Sequence, residues 1–397
     1  MNSSKVAYIP SGFNACAVKN PKLSLFFSSR PCAAAGVFTK NLVQAAPVML
    51  SRKHIRSGYA RAILINSGCA NAATGKKGLY DALISAQMLA KDLQVKPHEI
   101  LLASTGVIGT YLNMKQMSRG ISNIVKKIHI YGRQPRCFDK AARSIMTTDT
   151  FPKIVNRKLT IPNSSVIIWG CAKGAGMIHP DMATMLSVFL TDAAVMPETA
   201  QALLQEAAAR SFNKISVDGD TSTNDTVYLL ANGGSGGKNI SPGRAGFTIL
   251  KKNLIEMSQE LAAMIASDGE GARHLIKLRI EKARNASSAE QIARTVAASP
   301  LVKTAIYGGD PNWGRVLAAV GRAGVLVDPD KITIYFGRLK VCHRGHACMF
   351  SKSQAKNILR KKEVLIRVIL NQGSVETQYL TCDLTEKYIK INAKYTT

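Results

Sequence analysis

Short apolar runs alternate with amphipathic stretches along the whole chain. Runs at Ala62 to Ile65, Ser165 to Trp169, Met185 to Leu190, Thr226 to Leu230, Ile332 to Phe336 and Val364 to Leu370 predict strands. Helical spacing is clearest in two places. Pro197 to Ser211 has proline in its first turn and sets Ala200, Leu203, Leu204 and Ala207 on one face. Leu254 to Ile265 does the same with Leu254, Met257, Leu261, Met264 and Ile265. A third helix is expected over Ala289 to Ala298, with Ser288 as its cap. Strands and helices mixed in this way predict a layered α/β or α+β fold. With 397 residues to pack, two packed regions are expected.

Composition adds limits. An apolar share of 46 % against 20 % charged is ordinary for a globular protein that buries a core. The longest apolar runs, Val166 to Cys171 and Met185 to Leu190, are far too short to span a bilayer, so no membrane role is expected. Met1 to Asn20 has no charged stretch leading into an apolar one, so no signal peptide is read and the cytoplasm is the expected location. Eight cysteines, at 16, 32, 69, 137, 171, 342, 348 and 382, lack a framework spacing and read as free thiols in a reducing compartment. Cys342, His343, His346 and Cys348 carry ligand-type side chains, but adjacent ligands and the lack of a second pair favour a surface turn around Arg344 and Gly345. No metal is expected.

The formal charge of +28 is the one extreme value. It raises nucleic acid or an acidic surface as a partner. The basic residues are dispersed, however, and the densest runs are Lys126-Lys127, Lys251-Lys252 and Arg360-Lys361-Lys362. None is interleaved with aromatics as a single-strand binder requires. Steering of anionic substrates explains the charge as well, and a basic nucleic-acid-binding protein ranks as a distant third reading.

The candidate chemistry lies in a few polar, glycine-bearing stretches. From Lys173 to Leu186, glycines at 174 and 176 and Pro180 lead into an apolar strand at Thr184. A hydroxyl at such a junction suits a nucleophile, and it equally suits a threonine chosen for β-propensity. Ser104 to Gly109 sets the Thr105 hydroxyl beside the Gly106 N–H, as an oxyanion hole requires, and also reads as an ordinary turn. Val217 to Asp225 is dense in polar residues, a binding network or a solvated turn. Asp268 to Gly271 and Gly309 to Arg315 are further glycine-bracketed acidic turns. Gly233 to Lys238 resembles a phosphate loop but lacks its first glycine and its final Ser/Thr, and reads as a turn.

Together these stretches resemble the ornithine acetyltransferase family, also called glutamate N-acetyltransferase, of the cyclic arginine-biosynthesis route. The similarity runs nearly end to end. It takes in Ala34 to Thr39, Asn66 to Gly68, Ser104 to Gly109, Thr147 to Lys153, Lys173 to Leu186, Val217 to Thr226, Asp268 to Ala272, Asp310 to Arg315, Cys382 to Thr385 and the closing Thr396-Thr397. The resemblance implies an αββα-type sandwich with a second α/β domain. It implies self-cleavage between Ala183 and Thr184, giving an α chain of residues 1–183 and a β chain of 184–397. Thr184 then carries the acetyl group from N2-acetylornithine to glutamate in a ping-pong scheme. Thr105 and Gly106 match the family's oxyanion-hole pair. Thr147, Lys173, Thr184, Glu270, Asn392 and Thr397 match its substrate-contacting positions. On charge, Lys173 suits a substrate α-carboxylate, while Glu270 and the Thr397 carboxylate suit an ammonium. No cofactor is implied. Acetyl-CoA stays open as a second acetyl donor, and two α with two β chains form the implied heterotetramer.

The sequence departs from the family pattern at three positions. Cys69 stands where asparagine is usual, and Arg273 and His274 where threonine and lysine are typical. Arg273 either competes for Glu270 or points to the surface. The enzymatic alternative is a self-processing amidohydrolase or aminopeptidase, which would pass the acyl group to water.

Overall fold

The computed structural model describes residues 8–162, 164–179 and 185–394. Its first eight strands, β1 (Phe13–Val18), β2 (Leu23–Phe38), β3 (Tyr59–Cys69), β4 (Ile100–Val107), β5 (Lys153–Ile161), β6 (Ser164–Lys173), β7 (Leu186–Thr191) and β8 (Thr226–Ala231), form one sheet. Its order is β4-β3-β2-β8-β7-β6-β5, with β1 paired to β2. A second sheet contains β9 (Leu275–Ala283), β10 (Thr333–Phe336), β11 (Leu339–His343), β12 (His346–Ala347), β13 (Glu363–Ile369) and β14 (Val375–Cys382). Its order is β12-β11-β10-β13-β9-β14, with only the β13–β9 pair parallel. All six runs read as strands lie within or overlap these elements.

The large sheet folds back on itself because β2 serves both halves. Its first part pairs with β3 and its last part with β8, with a register break between Phe27 and Cys32 beside Pro31. Side-chain alternation then sorts the core into layers. Leu23, Leu25, Ala62, Leu64, Ile100 and Leu102 point outward onto helices α1 (Ala46–His54), α2 (Gly75–Leu93) and α3 (Met114–Tyr131). Their strand neighbours Phe26, Ile63, Ile65 and Leu101 point inward and meet Leu186, Val188, Leu190, Tyr228 and Leu230 from the other half. Two contacts tie the halves directly. Tyr228 donates its hydroxyl to Leu102 O at 2.8 Å, and the Phe26 and Trp169 rings lie 5.6 Å apart. α4 (Pro135–Ser144) closes one end of this layer through Phe138. The far face, with Phe189, Val227 and Leu229, is covered by α5 (Pro197–Ala209) and α6 (Ala245–Ser267). The result is an αββα sandwich.

The second sheet packs its own core on α7 (Ala286–Ala297), α8 (Pro300–Tyr307), α9 (Trp313–Gly321) and α10 (Lys352–Leu359), and α11 (Glu386–Asn392) follows β14. Helix bounds differ from expectation in instructive ways. α6 begins at Ala245, nine residues before its clearest periodicity, and α7 begins at Ala286. Its cap is Asn285, whose side chain accepts from Ser288 N at 2.8 Å, so Ser288 lies inside the first turn. α9 is capped in the same way by Asn312 of the Gly309 to Arg315 stretch. Around Arg344 and Gly345, both at positive φ, His343 pairs with His346 in a tight hairpin; Cys342 is buried in the core. Gly233 and Gly236, also at positive φ, make Gly233 to Lys238 a turn. Among the described residues no helix is long and apolar enough to cross a membrane.

Candidate active site

One cavity of about 110 Å³ gathers segments from across the sandwich. Thr105 and Gly106 come from the end of β4, Thr147 and Thr148 from the loop before β5, and Lys173 from the end of β6. Asp218, Asp220, Ser222 and Asn224 come from the loop before β8, Glu270 from the α6–β9 turn, and Tyr388 and Asn392 from α11. Thus Thr105, Gly106, Thr147, Lys173, Glu270 and Asn392, remote in sequence, share one wall-to-wall space. Ala183, Thr184 and Thr397 lie outside the described residues. The described chain resumes at Met185, whose N–H donates to Asp225 Oδ1 at 3.0 Å, and Leu186 pairs with Lys173 across β6 and β7. This end of β7 therefore opens beside the cavity.

Thr105 and Gly106 lie within a strand, and the turn follows at 108–109, so the ordinary-turn reading of Ser104 to Gly109 does not hold. Gly106 has φ +131°, and a Cβ there would stand 2.3 Å from the backbone carbon of Gly68 on the paired strand. Only glycine fits, and the close approach fixes where the backbone runs. Lys173 Nζ donates to Thr105 Oγ1 at 3.3 Å, which leaves the threonine's own hydrogen to donate elsewhere. Both side chains are almost wholly buried. Burial pushes the Lys173 ammonium below its ordinary range, and Asp149, Asp225 and Glu270 oppose that push.

Joined to the backbone at Thr147 and Gly174, beside the cavity lining, is a buried ion cluster that no local sequence pattern marks. Lys153, fully buried, reaches Asp149 Oδ1 at 2.7 Å and Asp268 Oδ2 at 2.6 Å. Asp149 Oδ1 also accepts from Gly174 N at 2.7 Å, and its Oδ2 from Thr147 N at 3.0 Å. Burial raises the Asp149 carboxyl, but Lys173, Lys153 and these bonds outweigh it and hold it at about 2. Asp268 accepts from Thr150 N at 3.0 Å and from the Thr150 hydroxyl. The residue types were visible within Thr147 to Lys153 and Asp268 to Gly271; their pairing spans 115 residues and leaves no local pattern.

Glu270 is set by three contacts. Its N–H donates to Ala175 O at 2.8 Å, Asn392 Nδ2 donates to its Oε2 at 2.7 Å, and its carboxylate lies over Gly176. The Val217 to Asp225 stretch is a largely buried polar network that lines the cavity rather than a solvated turn. Asp218 accepts from Met177 N at 2.6 Å, Ile178 N at 2.8 Å and the Tyr388 hydroxyl at 3.2 Å. Burial pushes the Asp218 carboxyl up and, with that neighbour, the Tyr388 phenol up. Asn224 Nδ2 ties Ala70 O and Ser104 O together at 2.7 and 2.9 Å. Tyr388 carried no sequence signal, since a lone tyrosine on a short helix usually serves packing.

The three departures fall outside direct competition for the site. Arg273 is exposed, with its guanidinium 5.3 Å over the Tyr307 ring, the surface placement and not the one beside Glu270. His274 Nδ1 lies 2.8 Å from Asp383 Oδ2. Cys69 donates its thiol to Thr110 O at 3.2 Å. Gly309 to Arg315 lies in the second domain, away from the cavity lining. Among the described residues no group of three metal-type side chains comes together.

Comparison with known proteins gives a consistent result. The sequence model described as the ArgJ family matches residues 10–397. A protein of Thermotoga neapolitana called arginine biosynthesis bifunctional protein ArgJ is 44 % identical, over 98 % of this chain and 100 % of its own. A protein of the same description from Desulfotalea psychrophila is 45 % identical over 94 % of each chain. A crystal structure of arginine biosynthesis bifunctional protein argJ from Bacillus halodurans is 37 % identical with a TM-score of 0.50. The match covers 96 % of that chain and 51 % of this one.

Proposed function

The chain belongs to the ArgJ family, and from that premise we propose that it transfers acetyl from N2-acetylornithine to glutamate through an acetyl-Thr184 intermediate. The observation that carries this reading is the convergence of Thr105, Gly106, Lys173 and Glu270 on one cavity beside the start of β7. Self-cleavage between Ala183 and Thr184 forms the nucleophile. The freed α-amino group, with an ordinary pKa of about 7.7–8.0, takes the Thr184 hydroxyl proton. The oxygen attacks the acetyl carbonyl carbon, and the Thr105 O–H and Gly106 N–H donate to the developing oxyanion. The C–N bond breaks and ornithine leaves with the proton on its α-nitrogen. The glutamate amine then attacks the ester carbonyl and the acyl C–O bond breaks. The proton lost by that amine returns to the Thr184 oxygen as N-acetylglutamate leaves.

Charge placement supports the substrate pair. Lys173, buried at the oxyanion side, suits the α-carboxylate shared by both amino acids. Glu270, held by Asn392, suits the side-chain ammonium of ornithine, with Thr147 and the Thr397 carboxylate completing the contacts. The length of the solved relative supports the cut, because a chain matched over 96 % of its own length covers only half of this one. The relatives' description as bifunctional supports acetyl-CoA as a second donor. The cleaved pieces assemble in this reading as two α and two β chains in the cytoplasm, with no cofactor.

Denaturing electrophoresis with N-terminal sequencing tests the nucleophile: two bands are expected, the second starting at Thr184, Met185, Leu186. Labelled acetylornithine should then yield labelled acetylglutamate. Label released only as free acetate would instead make the protein a self-processing hydrolase, and a single uncut active chain would overturn the Thr184 mechanism.

A further inference from the structure

Asp218 and Glu270 line one cavity and are joined through two other elements. Asp218 Oδ2 accepts from Met177 N at 2.6 Å and from the Tyr388 hydroxyl at 3.2 Å, and its Oδ1 accepts from Ile178 N at 2.8 Å. Met177 has φ +56°, a left-handed backbone that a residue with a side chain keeps only in firm surroundings. Two residues earlier, Ala175 O accepts from Glu270 N at 2.8 Å. The Glu270 carboxylate in turn accepts from Asn392 Nδ2 at 2.7 Å. Asn392 lies four residues after Tyr388 on α11, so both side chains share one face of that helix. The contacts close a ring: Asp218, Met177, Ala175, Glu270, Asn392, Tyr388 and back to Asp218.

α11 brings no apolar anchor to this ring. None of its seven residues is buried, so polar ties fix its place. At its start Thr385 Oγ1 donates to Gly271 O at 2.9 Å, and a Cβ on Gly271 would stand 2.7 Å from Tyr388 N, so the helix end is docked closely on the Glu270 turn. A tie at one end leaves a short helix free to roll about its axis. The Tyr388 bond to Asp218 is the second tie, and it decides which face turns to the cavity. We propose that Tyr388 is a positioning residue: its bond to Asp218 sets the roll of α11 and so keeps the Asn392 amide on the Glu270 carboxylate. Its effect on substrate rests on the reading of Glu270 as the partner of the ornithine ammonium. A phenol suits the task because it is a neutral donor. It pairs with Asp218 without adding a cation that would compete with that ammonium for the acidic wall.

Tyr388→Phe tests this. It keeps the aromatic ring, and Asp218 keeps its two backbone donors, so the fold should persist. The KM for acetylornithine should rise about fivefold, the weight of one ordinary hydrogen bond, with kcat nearly unchanged. The KM for glutamate, which has no side-chain ammonium, should stay where it is; a general loosening of the site would raise both. A double-mutant cycle reads the route. In an Asn392→Ala background, Tyr388→Phe should add less than about twofold, because the group it positions is already gone. Equal rises for the two substrates, or full multiplication of the two substitutions, would overturn the proposal. A crystal structure of Tyr388→Phe reads the same relation without catalysis. The Asn392 amide should have left Glu270, and an unmoved bond overturns the proposal whatever the kinetics. Should Asn392 move while the KM for acetylornithine stays fixed, the positioning role stands and the substrate reading of Glu270 falls.

Discussion

The Glu270 carboxylate lies so close over Gly176 that a Cβ there would stand 2.5 Å from its carboxyl carbon and Oε2. Gly176 does not have a left-handed backbone, so alanine is conformationally acceptable at this position; the nearest conflict is with the carboxylate. Gly176→Ala should therefore push Glu270 off Asn392 while the fold persists. The expected outcome is a KM for acetylornithine raised about tenfold, the equivalent of 1.4 kcal/mol, with kcat little changed. Steady-state kinetics with unaltered circular dichroism checks it.

Thr105 makes a sharper kinetic prediction. It accepts from Lys173 and lines the cavity, so its own hydrogen is left to donate there. Thr105→Val keeps the shape and removes the donor, so kcat should fall about 10²–10³-fold with KM nearly unchanged. A fall of less than threefold would remove Thr105 from the oxyanion hole.

Asp149 should also leave its mark on acid stability. Its carboxyl sits at about 2 in the folded protein against an ordinary 3.8. A depressed value of this kind contributes stability that is complete above about pH 4 and is lost as pH falls towards 2. The contribution is on the order of 2 kcal/mol. The gap in Tm between the wild type and Asp149→Asn should accordingly be widest near neutrality and close between pH 4 and 2, which calorimetry at stepped pH measures.

Lys303 predicts a latch between the two domains. Buried on α8, it donates to Val217 O at 2.7 Å, to Thr381 Oγ1 at 3.1 Å and to Cys382 O. Val217 precedes the cavity residue Asp218, and Cys382 ends β14. Lys303→Met orphans these acceptors at about 1–3 kcal/mol each, so a clear drop in Tm is expected, together with increased hydrogen exchange in the 217–225 loop.

Much of this architecture was legible from pattern alone. The six β-rich runs, two helix faces and the polar density of Val217 to Asp225 follow from period and composition, and the structure places them accordingly. The long β2 strand was not legible, because Ser28, Ser29, Arg30 and Pro31 interrupt its apolar alternation where it leaves one half of the sandwich for the other. Nor was the α7 cap, since Asn285 and Ser288 are both good capping residues and only geometry separates them. Thr105, Lys173 and Glu270 were picked out by chemistry and resemblance. Lys153 entered only as the last residue of the Thr147 to Lys153 stretch, because burial between acids distant in sequence is a property of the fold.

The shared sheet has a mechanical consequence for the proposed cut. β7 lies between β6 and β8, and β8 lies between β7 and β2, so strands from before residue 183 flank the two that follow residue 184. Six registered residue pairs join β6 to β7, and six more join β2 to β8. Severing the chain there would cut a connection without opening a seam. The two fragments would stay interlaced through their backbones, co-migrate under native conditions and part only in denaturant. The new amino terminus would then lie just ahead of β7, a strand already locked in the middle of a sheet, and beside a cavity whose wall neither fragment can build alone.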